Sequence, residues 1–222
     1  MAAQGLVDMA KQQPVKPAKY TGSKLPGSIM LETDDSPDVA ITDATNTTQS
    51  EISVFVNPLD DNKVLNTNNS TDFPVSQVYG ANGFMSSDGG QTWNGSVFGT
   101  GGQNGGDPAA AINLLGRYHN GYIADNGGNG AAWSDDEGAN WTDVQVAPNP
   151  GSLADKNHLW VDNSPTSPYE GHVYAAYTDF GGSSDGNIVM HTSTDRGLSW
   201  SNGTNISSGL TGFHQGVHIQ TD

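Results

Sequence analysis

Cysteine is absent from the 222 residues, which excludes a disulfide framework, thiolate metal ligands and a cysteine nucleophile. Charged residues make up only 14% of the chain, and eight Lys and Arg face 24 Asp and Glu, giving a formal net charge of −16. A surface so short of cations repels a phosphate backbone, so nucleic acid is excluded as a partner. Arginine is scarcest of all, with Arg117 and Arg196 alone. No window holds the run of about 18 apolar residues that a membrane-spanning helix requires, and Met1 to Pro14 lacks the apolar core of a signal peptide.

Glycine, at 29 residues, is plentiful, and three of these residues belong to a repeated octet, Ser-x-Asp-x-Gly-x-x-Trp. It occurs at Ser86–Trp93, Ser134–Trp141 and Ser193–Trp200. A β-prone stretch enters and leaves each copy, so the octet reads as the tip of a hairpin. Asp88, Asp136 and Asp195 suit Asx-type turns, in which the carboxylate accepts from nearby backbone amides. Gly90, Gly138 and Gly197 allow positive φ without a Cβ clash. Trp93, Trp141 and Trp200 follow the turn, where a large ring can wedge against a neighbouring unit. Recurrence of one supersecondary unit at this period predicts stacked copies of it.

The strands can be laid out from the octets. A first unit takes Glu51–Asn57, Val64–Asn68 and Val78–Met85, with Ile52, Val54 and Val56 alternating with Ser53 and Phe55. A second takes Asp107–Asn113, Tyr118–Ala124, Ala131–Ser134 and Trp141–Val146. A third takes Asn157–Asp162, His172–Thr178, Asn187–Thr192 and Trp200–Ile206, and Phe213–Thr221 opens a fourth. Residues 1–35, which hold Lys11, Lys16, Lys19 and Lys24 with Pro14, Pro17 and Pro26, read as a linker or pro-segment with little structure of its own.

The three octets resemble the Asp boxes, or BNR repeats, of sialidase-like β-propellers. The resemblance covers residues 36–222. It implies an all-β propeller of four-stranded antiparallel blades, each box joining the third and fourth strands, with the boxes as scaffold. Blades then fall at about 49–100, 101–148 and 149–208, with a fourth beginning at 209–222. Propellers close with about four to eight blades, so the expectation is the N-terminal part of a longer propeller, or a four-bladed ring completed by exchange between chains. The stretch Asp155–Pro165 is similar to one recurring in large secreted propeller proteins of Bacteroidetes-type bacteria, which implies a secreted or cell-surface setting.

Function in such a fold is expected where the inner strands begin. Equivalent positions in successive units are Gln49-Ser50-Glu51, Gly106-Asp107-Pro108, Asp155-Lys156-Asn157-His158 and His214-Gln215. Glu51, Asp107, Asp155 and His214 are the candidate catalytic residues, and Asn157, His158, Gln215 and Trp160 the candidate ligand-binding residues. Converging carboxylates can act as general acid and base, or hold calcium through oxygen ligands. A true sialidase of the family grips its substrate's carboxylate with three arginines, because a guanidinium fork matches that group and lysine does so poorly. Two arginines cannot supply that grip. The first expectation is therefore a propeller module that binds glycans or surface partners, further blades of a longer protein among them. The alternative is an extracellular glycoside hydrolase or polysaccharide lyase, whose carboxylate pair needs no arginine.

Overall fold

The computed structural model describes residues 39–221. The linker expected at 1–35 lies outside the described residues, as does Asp222. Among the described residues there is no helix, and thirteen strands form three antiparallel sheets. Sheet 1 contains β1 (Thr47–Val56), β2 (Val64–Asp72), β3 (Val78–Ala81), β4 (Gly83–Ser86) and β5 (Asn94–Ser96), in the order β1-β2-β4-β5 with β3 also against β2. Sheet 2 runs β6 (Asn104–Ile112), β7 (Tyr118–Ala124), β8 (Asn129–Ser134) and β9 (Thr142–Ala147) in sequence order. Sheet 3 does the same with β10 (Leu153–Val161), β11 (Val173–Phe180), β12 (Ile188–Ser193) and β13 (Thr204–Asn205).

Two departures from the expected strands have local causes. The single strand foreseen at Val78–Met85 is broken at Asn82, whose buried side chain takes over ladder bonds: Asn68 N donates to Asn82 Oδ1 at 3.0 Å, and Asn82 Nδ2 donates to Asn68 Oδ1 at 2.6 Å. The strand expected over Trp200–Ile206 shrinks to Thr204–Asn205. There the carbonyl of Ser201 lies 2.9 Å from His191 Nδ1, and Gly203 packs against Val189 and the His191 ring.

The sheets stack through one set of positions. Pairing of Val56 with Val64, Ile112 with Tyr118 and Val161 with Val173 makes Val56, Ile112 and Val161 equivalent. Ala110 and Ile112 of sheet 2 join a core with Leu65 and Phe55 of sheet 1. Leu159 and Val161 of sheet 3 join one with Ala109, Ala111, Ala131 and Val146 of sheet 2. In sheet 1 the same positions, Val54 and Val56, are about half exposed, and Ile52 is 65% exposed. The alternation in β1 thus turns Phe55 inward and leaves its more aliphatic side open.

Phe213–Thr221 does not form the expected strand. It lies extended beside β10 and repeats the contacts by which β6 leans on sheet 1. Ala110 N donates to Ser53 Oγ at 3.0 Å, and Ile219 N donates to the equivalent His158 Nδ1 at 3.3 Å. Asp107 N donates to Asn69 Oδ1 at 2.7 Å, and Gly216 N to the equivalent Thr178 Oγ1 at 3.4 Å. Among the described residues no further strand pairs with this segment, so it has the place of an inner strand without a ladder.

Candidate functional site

The octets join β4 to β5, β8 to β9 and β12 to β13, each linking the third and fourth strands of the sheet's hydrogen-bonded order. Their polar groups are consumed by their own turns. Ser86 Oγ donates to Asp88 Oδ1 and accepts from Gly90 N, both at 2.8 Å. The Asp88 carboxylate accepts from Thr92 N at 2.8 Å and Thr92 Oγ1 at 2.6 Å. Asp136 repeats this with Ser134, Gly138 and Asn140, and Asp195 with Ser193, Gly197 and Ser199. The hydrogen bonds hold Asp88 and Asp136 down to about 2, and in Asp195 they overcome an opposing burial effect to reach about 2. Trp141 and Trp200 reach the preceding sheet, while Trp93 donates Nε1 to its own Gly90 O at 3.0 Å.

Both arginines lie at this end of the sheets. Arg117 forms a bidentate pair with Asp135 at 2.7 and 2.8 Å, donates to Arg196 O at 3.0 Å, and lies 4.2 Å over the Trp133 ring. Arg196 lies 3.8 Å from Glu170. Neither guanidinium is near the beginnings of β1, β6 and β10.

At those beginnings each inner strand carries a bulge. Register shifts fall between Ser50 and Ser53, Gly106 and Ala109, and Asp155 and His158. Within them Glu51 (φ 52°), Asp107 (φ 57°) and Lys156 (φ 54°) take the left-handed conformation. That conformation costs an ordinary L-residue about 1–2 kcal/mol, and such strain collects at functional sites. The third equivalent is therefore Lys156 and not Asp155, one residue from the expected register. The fourth is Gly216 (φ 79°) and not His214. A one-residue shift reverses which side chain a strand presents, and the bulge hides that shift from the sequence.

Glu51, Asp107 and Lys156 meet. Lys156 Nζ is 3.3 Å from Glu51 Oε1 and 4.0 Å from Asp107 Oδ2, and Lys156 N donates to Asp107 Oδ2 at 3.1 Å. Lys156 thus stands between the two carboxyl groups, each of which influences the ionisation of the other. Asn69 Nδ2 donates to Glu51 Oε2 at 3.1 Å, and Asn157 Nδ2 donates to Asp107 O. Burial, followed by the neighbouring Glu51 carboxyl, pushes Asp107 up to about 6. Glu51 is lowered, first by the neighbouring Asp107 carboxyl and then by Lys156 against an opposing burial effect. Burial lowers the Lys156 ammonium, but the charges of Asp107 and Glu51 raise it further, and the net direction is up. Ionisation is thus opposed at Asp107 and favoured at Glu51, beside an ammonium, in an open concavity of about 200 Å³ that Asn157 also lines.

The other expected residues fall around this cluster. Asp155 accepts from Gln215 Nε2 at 2.8 Å, and its charge helps raise Asp107. His158 stacks between Trp160 and His218, with ring centroids at 6.4 and 5.0 Å, and burial lowers it to about 4. Trp160 meets Phe55 edge-on and donates Nε1 to Thr221 Oγ1 at 3.1 Å, so packing occupies it. His214 does not line the concavity; its backbone N–H donates to Gly186 O, and its Nε2 is buried without a partner. Sequence reasoning missed Lys156 and Asn69 as members. The one available signal was scarcity: beyond residue 35 the lysines are Lys63 and Lys156, and the latter follows an aspartate at a strand start.

The cluster offers two carboxyls, an ammonium and two amides to a ligand. Among the described residues no three His, Asp or Glu side chains are arranged to hold a metal ion, and the Lys156 ammonium supplies the positive charge that calcium would bring.

No protein-family model matches the chain, and no curated protein does. Solved structures similar to it include an exo-β-1,3-galactanase from Phanerochaete chrysosporium bound to β-1,3-galactotriose, at 14% identity and TM-score 0.48, covering 73% of this chain and 37% of that one. A protein of unknown function from Dyadobacter fermentans is similar at 15% identity and TM-score 0.48, covering 73% and 56%. A Hadza microbial sialidase is similar at 15% identity and TM-score 0.46, covering 70% and 33%. The chain spans less than two thirds of the length of each.

Proposed function

We propose that the chain is part of a secreted or cell-surface β-propeller of the sialidase-like kind, and that Glu51, Asp107 and Lys156 bind the hydroxyl groups of a glycan without cleaving it. The observation that carries this reading is the meeting of two carboxyls and an ammonium in one concavity, with Lys156 Nζ 3.3 Å from Glu51 and 4.0 Å from Asp107. An ionised carboxylate accepts, a protonated one and an ammonium donate, and sugar hydroxyls do both. Engagement of Arg117 and Arg196 at the opposite end supports a ligand without a carboxylate of its own, and so speaks against sialidase chemistry. Cysteine-free, glycine-rich and sparsely charged β structure accords with an extracellular setting, and the open Ile52/Val54/Val56 side of sheet 1 with further blades as partners.

The opposed shifts of Asp107 and Glu51 favour a second reading, because pairs driven apart in this way divide acid and base roles in glycosidases. A glycan array followed by titration calorimetry on the full chain separates the two. Binding should weaken about tenfold in Asp107→Asn and Lys156→Met, with no reducing ends or unsaturated products released by the parent chain. Product release by the parent that Asp107→Asn abolishes would establish the enzyme instead. Binding unchanged in both variants would remove the cluster from function altogether.

A further inference from the structure

A second concave surface, lined by none of the bulge residues, lies at the outer strands of sheet 1. Its larger part is a cavity of about 420 Å³ between β4, β5 and the second octet, with Trp141 and Phe98 among its walls and Asn94, Ser96 and Thr100 at its polar positions. Its smaller part, about 220 Å³, lies against Tyr79, Gln77 and Gln103 and shares Phe98 and Gly99 with the first. Phe98 is 62% exposed and meets Tyr79 edge-on at 5.1 Å, so one ring forms the ridge between the two hollows. The cavity of about 420 Å³ is within the range of small-ligand sites.

Three features point to the occupant. First, no charged side chain among the described residues lines either hollow, in a chain whose net charge is −16. Second, the aromatic residues follow one another from Trp141 through Phe98 to Tyr79, with amides and a hydroxyl around them: Asn94, Ser96, Gln77 and Gln103, all exposed. Third, Trp141 is only partly buried: it packs one side against Ala81, Tyr122 and Ala132 and lines the larger hollow with the other.

We propose that this groove binds a neutral oligosaccharide, with pyranose rings on either side of Phe98, one of them stacked on Trp141. The apolar C–H face of a pyranose covers an aromatic ring, while its equatorial hydroxyls reach amides and hydroxyls at the rim; an uncharged wall leaves no ion unpaired when water is displaced. This site is independent of the Glu51/Asp107/Lys156 cluster.

The test is affinity electrophoresis of the full chain through gels containing a neutral β-glucan, a galactan or a mannan, with tryptophan emission followed in parallel. At least one polysaccharide should retard the chain and shift its emission. Phe98→Ala, at an exposed position that the fold does not need, should weaken retardation about three- to tenfold, the loss of one stacked ring. Asp107→Asn should leave the emission shift in place. Retardation that survives Phe98→Ala and disappears in Asp107→Asn would assign all binding to the other cluster and overturn the proposal. So would the absence of retardation by any neutral polysaccharide, or capture of a proline-rich peptide in their place, since such peptides also dock in aromatic-lined grooves.

Discussion

Asp107 is held by its backbone and by its carboxyl in ways that oppose each other. Its φ of 57° places it where an L-residue is strained, and burial beside Glu51 favours the protonated form of its carboxyl. The folded chain grips that proton up to about pH 6, whereas the unfolded chain releases it near the ordinary value of 3.8. Between those values the native state binds more protons than the unfolded one, so stability falls as pH rises through the window. Glu51 moves the other way: its lowered value adds stability present above its ordinary 4.5 and lost as pH falls below it. Asparagine keeps the shape of Asp107 and cannot ionise. Asp107→Asn should therefore gain on the parent by ~1 kcal/mol, a few degrees in Tm, between about pH 4.5 and about pH 7.5. Thermal melts at the two values check this, and an unchanged difference would mean that Asp107 is not raised in solution.

Among the elements, the octet hairpins are where side chains close their own turns. Ser193 is fully buried, and its hydroxyl donates to Asp195 Oδ1 at 2.7 Å while accepting from Gly197 N at 2.8 Å. Removing it strands a buried amide, at a cost of about 1–3 kcal/mol. Ser199, exposed on the same turn, makes one bond to Asp195 Oδ2, and its loss is made good by water. Urea unfolding should thus rank Ser193→Ala well below Ser199→Ala, and equal losses would show that the hydroxyl is not the turn's keystone. These hairpins were legible in the sequence because their chemistry is local: serine, aspartate, glycine and tryptophan at fixed offsets state the turn without reference to anything distant. The break at Asn82 was not, because it depends on Asn68, a residue of another strand. Nor were the bulges. Glu51 and Lys156 are residues that avoid positive φ, and the pairing of β1 with β2 and of β10 with β11 holds them there. Reading the strands as regular placed Asp155 where Lys156 stands, and so left the ammonium out of the site.

Across the whole molecule, each sheet rests on the one before it through the same two inner-strand positions. Ala110 and Ile112 bury against sheet 1, and Leu159 and Val161 against sheet 2. Val54 and Val56 have the same place and the same apolar character, with Ile52 beside them, and all three are exposed. A contiguous apolar face of this kind is a contact surface awaiting a partner, while a net charge of −16 pushes copies of the chain apart. The two tendencies respond differently to salt, because screening weakens the repulsion and leaves apolar burial intact. Sedimentation velocity should therefore find a larger average mass at about 0.5 M sodium chloride than at about 0.05 M. Val54→Lys with Val56→Lys should abolish the increase and change folding stability by no more than about 0.5 kcal/mol per site, as expected of exposed positions. A parent chain of the same mass at both salt concentrations would count against an open face on sheet 1. An increase that survives both lysines would move the contact elsewhere, to the unladdered edge of Phe213–Thr221, whose free backbone groups are the other route by which a β-chain recruits a neighbour.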